Sequence, residues 1–244
     1  MNFLLVSVFV CSLSAALSAE PLFQEKTAEE IFKKIEETIE KAKAVSVRFK
    51  YNLSEKSVDP GQEVESGTLL LKEDNKARLA MRIFFPHGGQ EPQDVLVVSE
   101  GSKMMLKSGS RKPREIETPK TLNNGFRTIL ARASVLFFSI AFQKEEGERD
   151  FKKTFQVSDF KSGEDDKGAK TLTYKLKVKL TERPVSDVEW DVKLWYDPKN
   201  WKLLRRTLGV QSQDHPRRLA ETYEDYILNA DIPDEKFKFS EEDK

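Results

Sequence analysis

A chain of 244 residues has room for one large or two small domains, and no break in composition divides it, so one domain is expected. Lys plus Arg and Asp plus Glu stand at 41 each, which leaves no net field to hold a phosphate backbone and sets nucleic-acid binding aside. The only cysteine, Cys11, lies in an N-terminal apolar run, so a disulfide-stapled scaffold is excluded and the fold must rest on its core.

That run, Leu4 to Leu17, leads into the small-x-small sequence Ala16-Leu17-Ser18. Residues 1–18 are expected to be a secretory signal peptide cleaved near Ser18, with residues 19–244 as a single exported domain. Without disulfides, a bacterial periplasm is the expected compartment. Thr27-Ala-Glu-Glu30 has the spacing of a capping box, and Ile31, Ile35, Ile39 and Ala42 recur on one face behind it, with Phe32 beside them. A helix lying on something apolar is expected there, as plain core packing or as a lid.

At Val45 the pattern changes to strict alternation. Val45, Val47, Phe49, Tyr51 and Leu53 point one way and Ser46, Arg48, Lys50 and Asn52 the other, as in a sheet with one wet face. Val64 to Lys72 and Ala77 to Phe85 read as a hairpin turning through Glu73-Asp74-Asn75-Lys76. Val95 to Ser99 and Lys103 to Lys107 read as a second, followed by a polar connection with Pro113 and Pro119.

The most apolar internal stretch is Ile129 to Phe142. Taken as a helix from Leu122, it puts Leu122, Phe126, Ile129, Leu130, Ala133, Phe137 and Ile140 in one stripe and turns Asn123, Arg127 and Arg132 away. From Ser134, Val135, Phe138 and Phe142 make the other face apolar too, as in a segment covered on both sides; periodicity alone also allows a buried strand. With fewer than ~18 apolar residues and Arg132 inside, it does not span a bilayer. It reads as an internal plug, followed by a charged loop from Lys144 to Asp150.

Strands return at Phe155 to Phe160. After the Gly163 to Gly168 tip, Leu172, Tyr174, Leu176, Val178 and Leu180 alternate with a lysine row that includes Lys175, Lys177 and Lys179. Such a row is a solvated face or an attraction to anionic lipid heads. Val188, Trp190, Val192, Leu194 and Tyr196 continue the alternation; Trp201 to Val210 and Leu219 to Leu228 complete about ten antiparallel strands. Trp195, on the outward parity, is expected under the Trp201 turn or in a contact surface. A sheet this wide curls as it twists. The expected class is therefore α+β, a strongly curved antiparallel sheet forming a half-open barrel with a helical lid or plug over its concave face.

Catalytic signatures are missing from the sequence. His87 and His215 stand among turn residues without partners at metal-ligand spacing, and there is no Gly-x-Ser-x-Gly elbow, Walker loop or dinucleotide fingerprint. The pairs Glu145-Glu146 and Asp165-Asp166 sit in charged tips, where solvation keeps them ordinary. No enzymatic activity, metal or cofactor is expected.

The order of these elements resembles that of the LolA-type periplasmic lipoprotein carriers, a family that extends to LolB-like receptors and RseB-like sensors. Ala44-Val-Ser-Val-Arg-Phe49, Ser66-Gly-Thr-Leu-Leu-Leu-Lys72 and Val97-Val-Ser-Glu-Gly-Ser-Lys103 are similar to its early strands. Gly125 to Arg132 falls where a helix enters the barrel; Leu194-Trp-Tyr-Asp-Pro198 and Ile232-Pro-Asp-Glu-Lys-Phe-Lys-Phe239 resemble its late strand and ending. The resemblance implies a carrier that shelters lipoprotein or lipid acyl chains for transfer toward the outer membrane, or a module that senses them and regulates a partner.

It also implies a groove and a lid. The groove is expected to draw on Val47, Phe49, Tyr51, Leu70, Leu79, Met81 and Ile83 from the first strands and Leu130, Phe137 and Phe138 from the plug. Leu172, Tyr174, Leu176, Val192 and Leu194 are its expected later residues, and Ile31, Ile35, Phe126 and Ile129 its lid. An inner-membrane donor, an outer-membrane receptor and transient contact with a membrane surface are the implied partners of a monomer. Where the carriers show Lys-Arg-Pro, whose arginine holds the lid, this chain reads Lys72-Glu73-Asp74, leaving Arg48, Arg78 or Arg82 to substitute.

Overall fold

Alternating side chains give each strand one apolar face, and eleven such strands join in one antiparallel sheet. The computed structural model describes residues 26–54, 63–85, 90–142, 149–179, 189–210 and 217–243. The expected signal peptide, His87, His215 and the Glu145-Glu146 pair lie outside the described residues. The first six strands are β1 (Ala44–Ser54), β2 (Glu63–Lys72), β3 (Lys76–Phe85), β4 (Gln90–Glu100), β5 (Lys103–Ser108) and β6 (Arg114–Glu117). The other five are β7 (Phe155–Glu164), β8 (Lys170–Val178), β9 (Glu189–Tyr196), β10 (Leu203–Val210) and β11 (Arg217–Leu228). The strand beyond the expected ten is β6, which lies in the connection read as a polar loop.

The strand order is β6-β5-β4-β3-β2-β1-β11-β10-β9-β8-β7. Two up-and-down halves meet where the first strand pairs with the last. The sheet therefore curls without closing, and β6 and β7 remain as its two edges. The segment linking those edges must cross the open side. It carries helix α2 (Leu122–Arg132), a 3₁₀ helix (Val135–Phe142) and the short helix α3 (Phe151–Thr154); helix α1 (Ala28–Glu40) enters from the other end of the chain.

Local chemistry fixes each piece. The capping box of α1 is present: Glu30 N–H donates to Thr27 Oγ1 at 3.2 Å and Thr27 N–H to Glu30 Oε2 at 2.7 Å. Between β1 and β11 the register shifts opposite Val47, with Asp225 at a φ of 47°, and this bulge turns both Tyr223 and Tyr226 inward. Gly67 lets the Phe49 ring lie over β2, since a Cβ there would stand 2.3 Å from it.

Almost the whole core lies on the inner face, between the sheet and the helices. A small second cluster lies on the outer face, where Ile232 and Phe237 from the C-terminal tail cover Ala44. Leu70 belongs to this outer cluster, which corrects its assignment to the groove: Leu69 and Leu71 take the inward positions and Leu70 the opposite face. Asp234 in the tail receives Lys72 Nζ at 2.7 Å and Lys76 Nζ at 2.8 Å, and Asp243 pairs with Arg78.

Trp195 does not lie under the Trp201 turn. Its Nε1–H donates to Asp165 Oδ2 at 3.0 Å, and Lys193 and Arg205 lie over its ring at 5.0 and 4.8 Å. Trp201 instead stacks on Tyr196, with centroids 5.9 Å apart.

Candidate functional site: the covered inner face

The inner face is lined mainly by apolar side chains. From the first half of the sheet, Val47, Phe49, Tyr51, Leu79 and Met81 point into it, and from the second Leu172, Tyr174, Leu176, Val192 and Leu194. All of these are buried. The expected lid residues Ile31, Ile35, Phe126 and Ile129 are buried against them, as is Leu130. Ile83 sits on β3 with its side chain outside the described residues.

Aromatic rings of the cover fill the space. Phe138 stands edge-on to Phe49 at 5.8 Å and to Phe126 at 5.4 Å, joining the 3₁₀ helix to β1 and α2. Phe137, half-buried, turns to the other half, 5.6 Å from Phe155 and 6.1 Å from Trp190. Phe32 of α1 lies 4.9 Å from Phe160 and 5.2 Å from Tyr174.

The cover is not one continuous helix. α2 ends at Arg132, Ala133 leaves helical geometry with φ −121° and ψ −128°, and a 3₁₀ helix begins at Val135. Beneath that junction lie two fully buried, oppositely charged residues, cross-strand neighbours on β10 and β11: Arg206 and Glu221. Arg206 Nη2 donates to the carbonyls of Leu130 at 2.7 Å and Ala131 at 3.0 Å, and Nη1 to that of Ala133. Glu221 accepts from the Ser134 hydroxyl, from Val135 N–H at 3.0 Å and from the Tyr223 hydroxyl at 2.5 Å. Tyr174 adds a bond from its hydroxyl to Arg132 O at 2.9 Å.

Helix polarity explains why this pair can exist in an apolar core. The cation meets the carbonyl end of α2, and the carboxylate meets the N–H end of the 3₁₀ helix, so each charge opposes a fixed partial charge. The two are 3.8 Å apart and form no hydrogen bond with each other; Arg206 bonds to the cover, and Glu221 to the cover and to Tyr223. Burial pushes the Glu221 carboxyl above the usual carboxylate range, although Arg206 and its hydrogen bonds pull it back. Burial also raises the Tyr174 phenol.

The N-terminal end of α2 is held differently. Asn123 N–H donates to Asn75 Oδ1 at 2.9 Å, and Asn123 Nδ2 donates to Lys72 O at 2.5 Å and Lys76 O at 3.1 Å, tying the helix to the β2–β3 turn. Arg127 bridges to α1, donating to Asn123 Oδ1 at 2.5 Å and Ile39 O at 2.7 Å. Arg132 forms a two-point pair with Glu36 of α1, at 2.5 and 3.1 Å. The expectation that Asn123, Arg127 and Arg132 face away from the fold is thus corrected: Arg127 is buried and the other two half-buried, because α1 and the hairpin turn cover that side.

None of the three arginines put forward as lid holders reaches the cover. Arg48 pairs with Asp225 at 2.7 Å, Arg82 with Asp94 at 3.8 Å and Arg78 with Asp243, all on the outer face. The arginine that grips the cover is Arg206. Its signal was present in the sequence: Arg206 shares parity with Leu208, and Glu221 with Leu219 and Tyr223, placing opposite charges on the apolar side of two adjacent strands. Among the described residues no cluster of three or more His, Cys, Asp or Glu is placed to hold a metal ion.

The molecule is thus a half-open antiparallel barrel whose inner face is closed by a helical cover. No family model and no curated protein matches the chain. Among solved structures it is similar to LprF from Mycobacterium bovis, at 12% identity and a TM-score of 0.45, over 84% of this chain and 94% of that one. It is also similar to the LolA superfamily protein NE2245 from Nitrosomonas europaea, at 13% identity and a TM-score of 0.37, over 88% and 98% of the two chains. A DUF1329 family protein from Desulfovibrio piger is similar at 11% identity and a TM-score of 0.38, over 86% and 95%.

Proposed function

We propose that this protein is a non-enzymatic binding protein of the bacterial periplasm that shelters lipid or lipoprotein acyl chains on the inner face of its half-barrel, for transfer toward the outer membrane. The observation that carries this reading is the junction beneath the cover. A face needed only as a core would be closed with more apolar packing, whereas here the closing segment is broken in the middle and fastened there by hydrogen bonds to buried charges.

The energetics of carriage agree. Burying a methylene is worth about 0.8 kcal/mol, so a long acyl chain gains on the order of 10 kcal/mol in a dry groove, too much for ready release. Refilling of the face by Phe137 and Phe138 offsets that gain, because the ligand must first displace them. Protein produced with its leader in membrane-containing cells should yield acyl lipid on extraction, and the emptied protein should take up a fluorescent fatty acid. An empty protein that also refuses the probe would overturn the proposal, and recovery of one stoichiometric protein partner without lipid would favour a sensing module instead. Replacing Phe137 and Phe138 together by alanine should change uptake while circular dichroism stays native.

A further inference from the structure

The apolar face that would receive an acyl chain contains a full positive charge, and its bonding shows when that charge is free. In the closed state three backbone carbonyls of the cover, from Leu130, Ala131 and Ala133, accept from Arg206. Lifting the junction removes all three at once. It also removes the Ser134 hydroxyl and the Val135 N–H from Glu221, leaving that carboxylate with the Tyr223 hydroxyl. Arg206 then keeps a carboxylate 3.8 Å away and the Tyr223 ring at 5.8 Å, with no hydrogen-bond acceptor from the cover. Even with the cover down, Arg206 Nε and the Tyr226 hydroxyl are buried without a hydrogen-bond partner among the described residues.

An uncharged acyl chain entering such a groove leaves the guanidinium bare in apolar surroundings, a costly arrangement. A ligand with an anionic head supplies the acceptors that the cover withdrew. We infer that Arg206 is a head-group receptor, and that the ligand class is a single-tailed amphiphile with an ionised carboxylate head, of the long-chain fatty acid type. This rests on the acyl-binding reading above and narrows it. The planar fork of arginine matches a carboxylate in two parallel hydrogen bonds. Because Glu221 stays beside it, a monoanion leaves one excess negative charge in the site, whereas a doubly ionised phosphate head would leave two. Latch and head group compete for the same donors, so the carboxylate favours the open state in a way that a neutral chain does not.

The test compares heads on a constant tail, below the micelle threshold. Palmitate, palmityl alcohol and hexadecyl phosphate each displace an uncharged fluorescent probe from the full mature chain. Palmitate should bind about tenfold or more tightly than the alcohol, the worth of one charge-assisted pair, with the phosphate weaker than palmitate. In the double variant Arg206→Met/Glu221→Met, which leaves no unmatched buried charge, palmitate and alcohol should bind alike. Equal affinities for the wild-type protein, tighter binding of the phosphate, or a folded double variant that keeps the palmitate preference would each overturn the inference while the acyl-binding reading stands. Displacement by none of the three would overturn both. Should the double variant fail to fold, the wild-type series decides alone.

Discussion

At its N-terminal end α2 is tied to the β2–β3 turn by the neutral amides of Asn75 and Asn123, half-buried groups that water can serve equally well. At its C-terminal end it is tied to the sheet by Arg206 and Glu221, neither of which has any exposed surface. The difference matters because a hydrogen bond exchanged with water has a small net worth, while a buried charge stripped of its partners bears its full desolvation cost. The outer end of the cover can therefore loosen at lower cost, and the inner end only when something replaces what it gives up.

The largest effect should come from breaking the inner fastening on one side. Arg206→Met leaves Glu221 buried without its cation and should destabilise the protein by about 3–5 kcal/mol in denaturant titrations. Adding Glu221→Met should recover most of that loss. A double variant no more stable than the single one would mean that the two charges do not act as a pair.

Next in size is Gly125→Ala, close to the outer end. A Cβ there would stand 2.5 Å from the Phe151 ring, which is itself buried, so the helix and α3 must separate at a cost of about 1–3 kcal/mol. If the outer end is the compliant one, hydrogen exchange should quicken between Leu122 and Phe126 while Leu130 to Val135 stays protected. Uniform loss of protection would erase the distinction between the ends. Asn123→Ala, which removes the amide bridge itself, should cost about 1 kcal/mol and leave the acyl-probe affinity within a factor of a few of wild type.

Much of this was legible in the sequence, and where legibility stopped follows a physical pattern. Alternation showed which way Phe49, Leu79, Tyr174 and Leu194 point, because one residue settles the parity of the next. It misled at Leu69-Leu70-Leu71, where three identical residues carry no parity of their own. Helical period marked the apolar stripe of α2 but assigned Asn123, Arg127 and Arg132 to solvent, since a period sees one helix and not the second helix lying against its other side. The break at Ala133 was hidden for a related reason: Ser134 and Val135 are held by Glu221, a partner 86 residues further along the chain from Val135. The resemblance pointed to an arginine holding the cover and sought it near Lys72, whereas β10 provides it.

The smallest effect should come from acid, and it probes the outer end through the tail. Asp234 accepts from Lys72 and Lys76, the residues whose carbonyls receive the Asn123 side chain, so the tail braces the turn that holds α2. Hydrogen bonds from these two lysines pull the Asp234 carboxyl down from 3.8 to about 2. A carboxyl whose folded value lies below its unfolded one contributes stability that is fully present above the unfolded value and is lost as pH falls through the folded one. The brace should therefore weaken between about pH 4 and pH 2, and Asp234→Asn should abolish that part of the acid response. Followed by amide signals, the wild-type change in this window should appear first at Lys72 to Lys76 and Asn123. Leu130 to Val135 should have responded already, above this window, because burial holds the Glu221 carboxyl above the usual carboxylate range and Val135 N–H donates to it; a junction that changes only together with the tail would show that the buried pair is not the group acid reaches first.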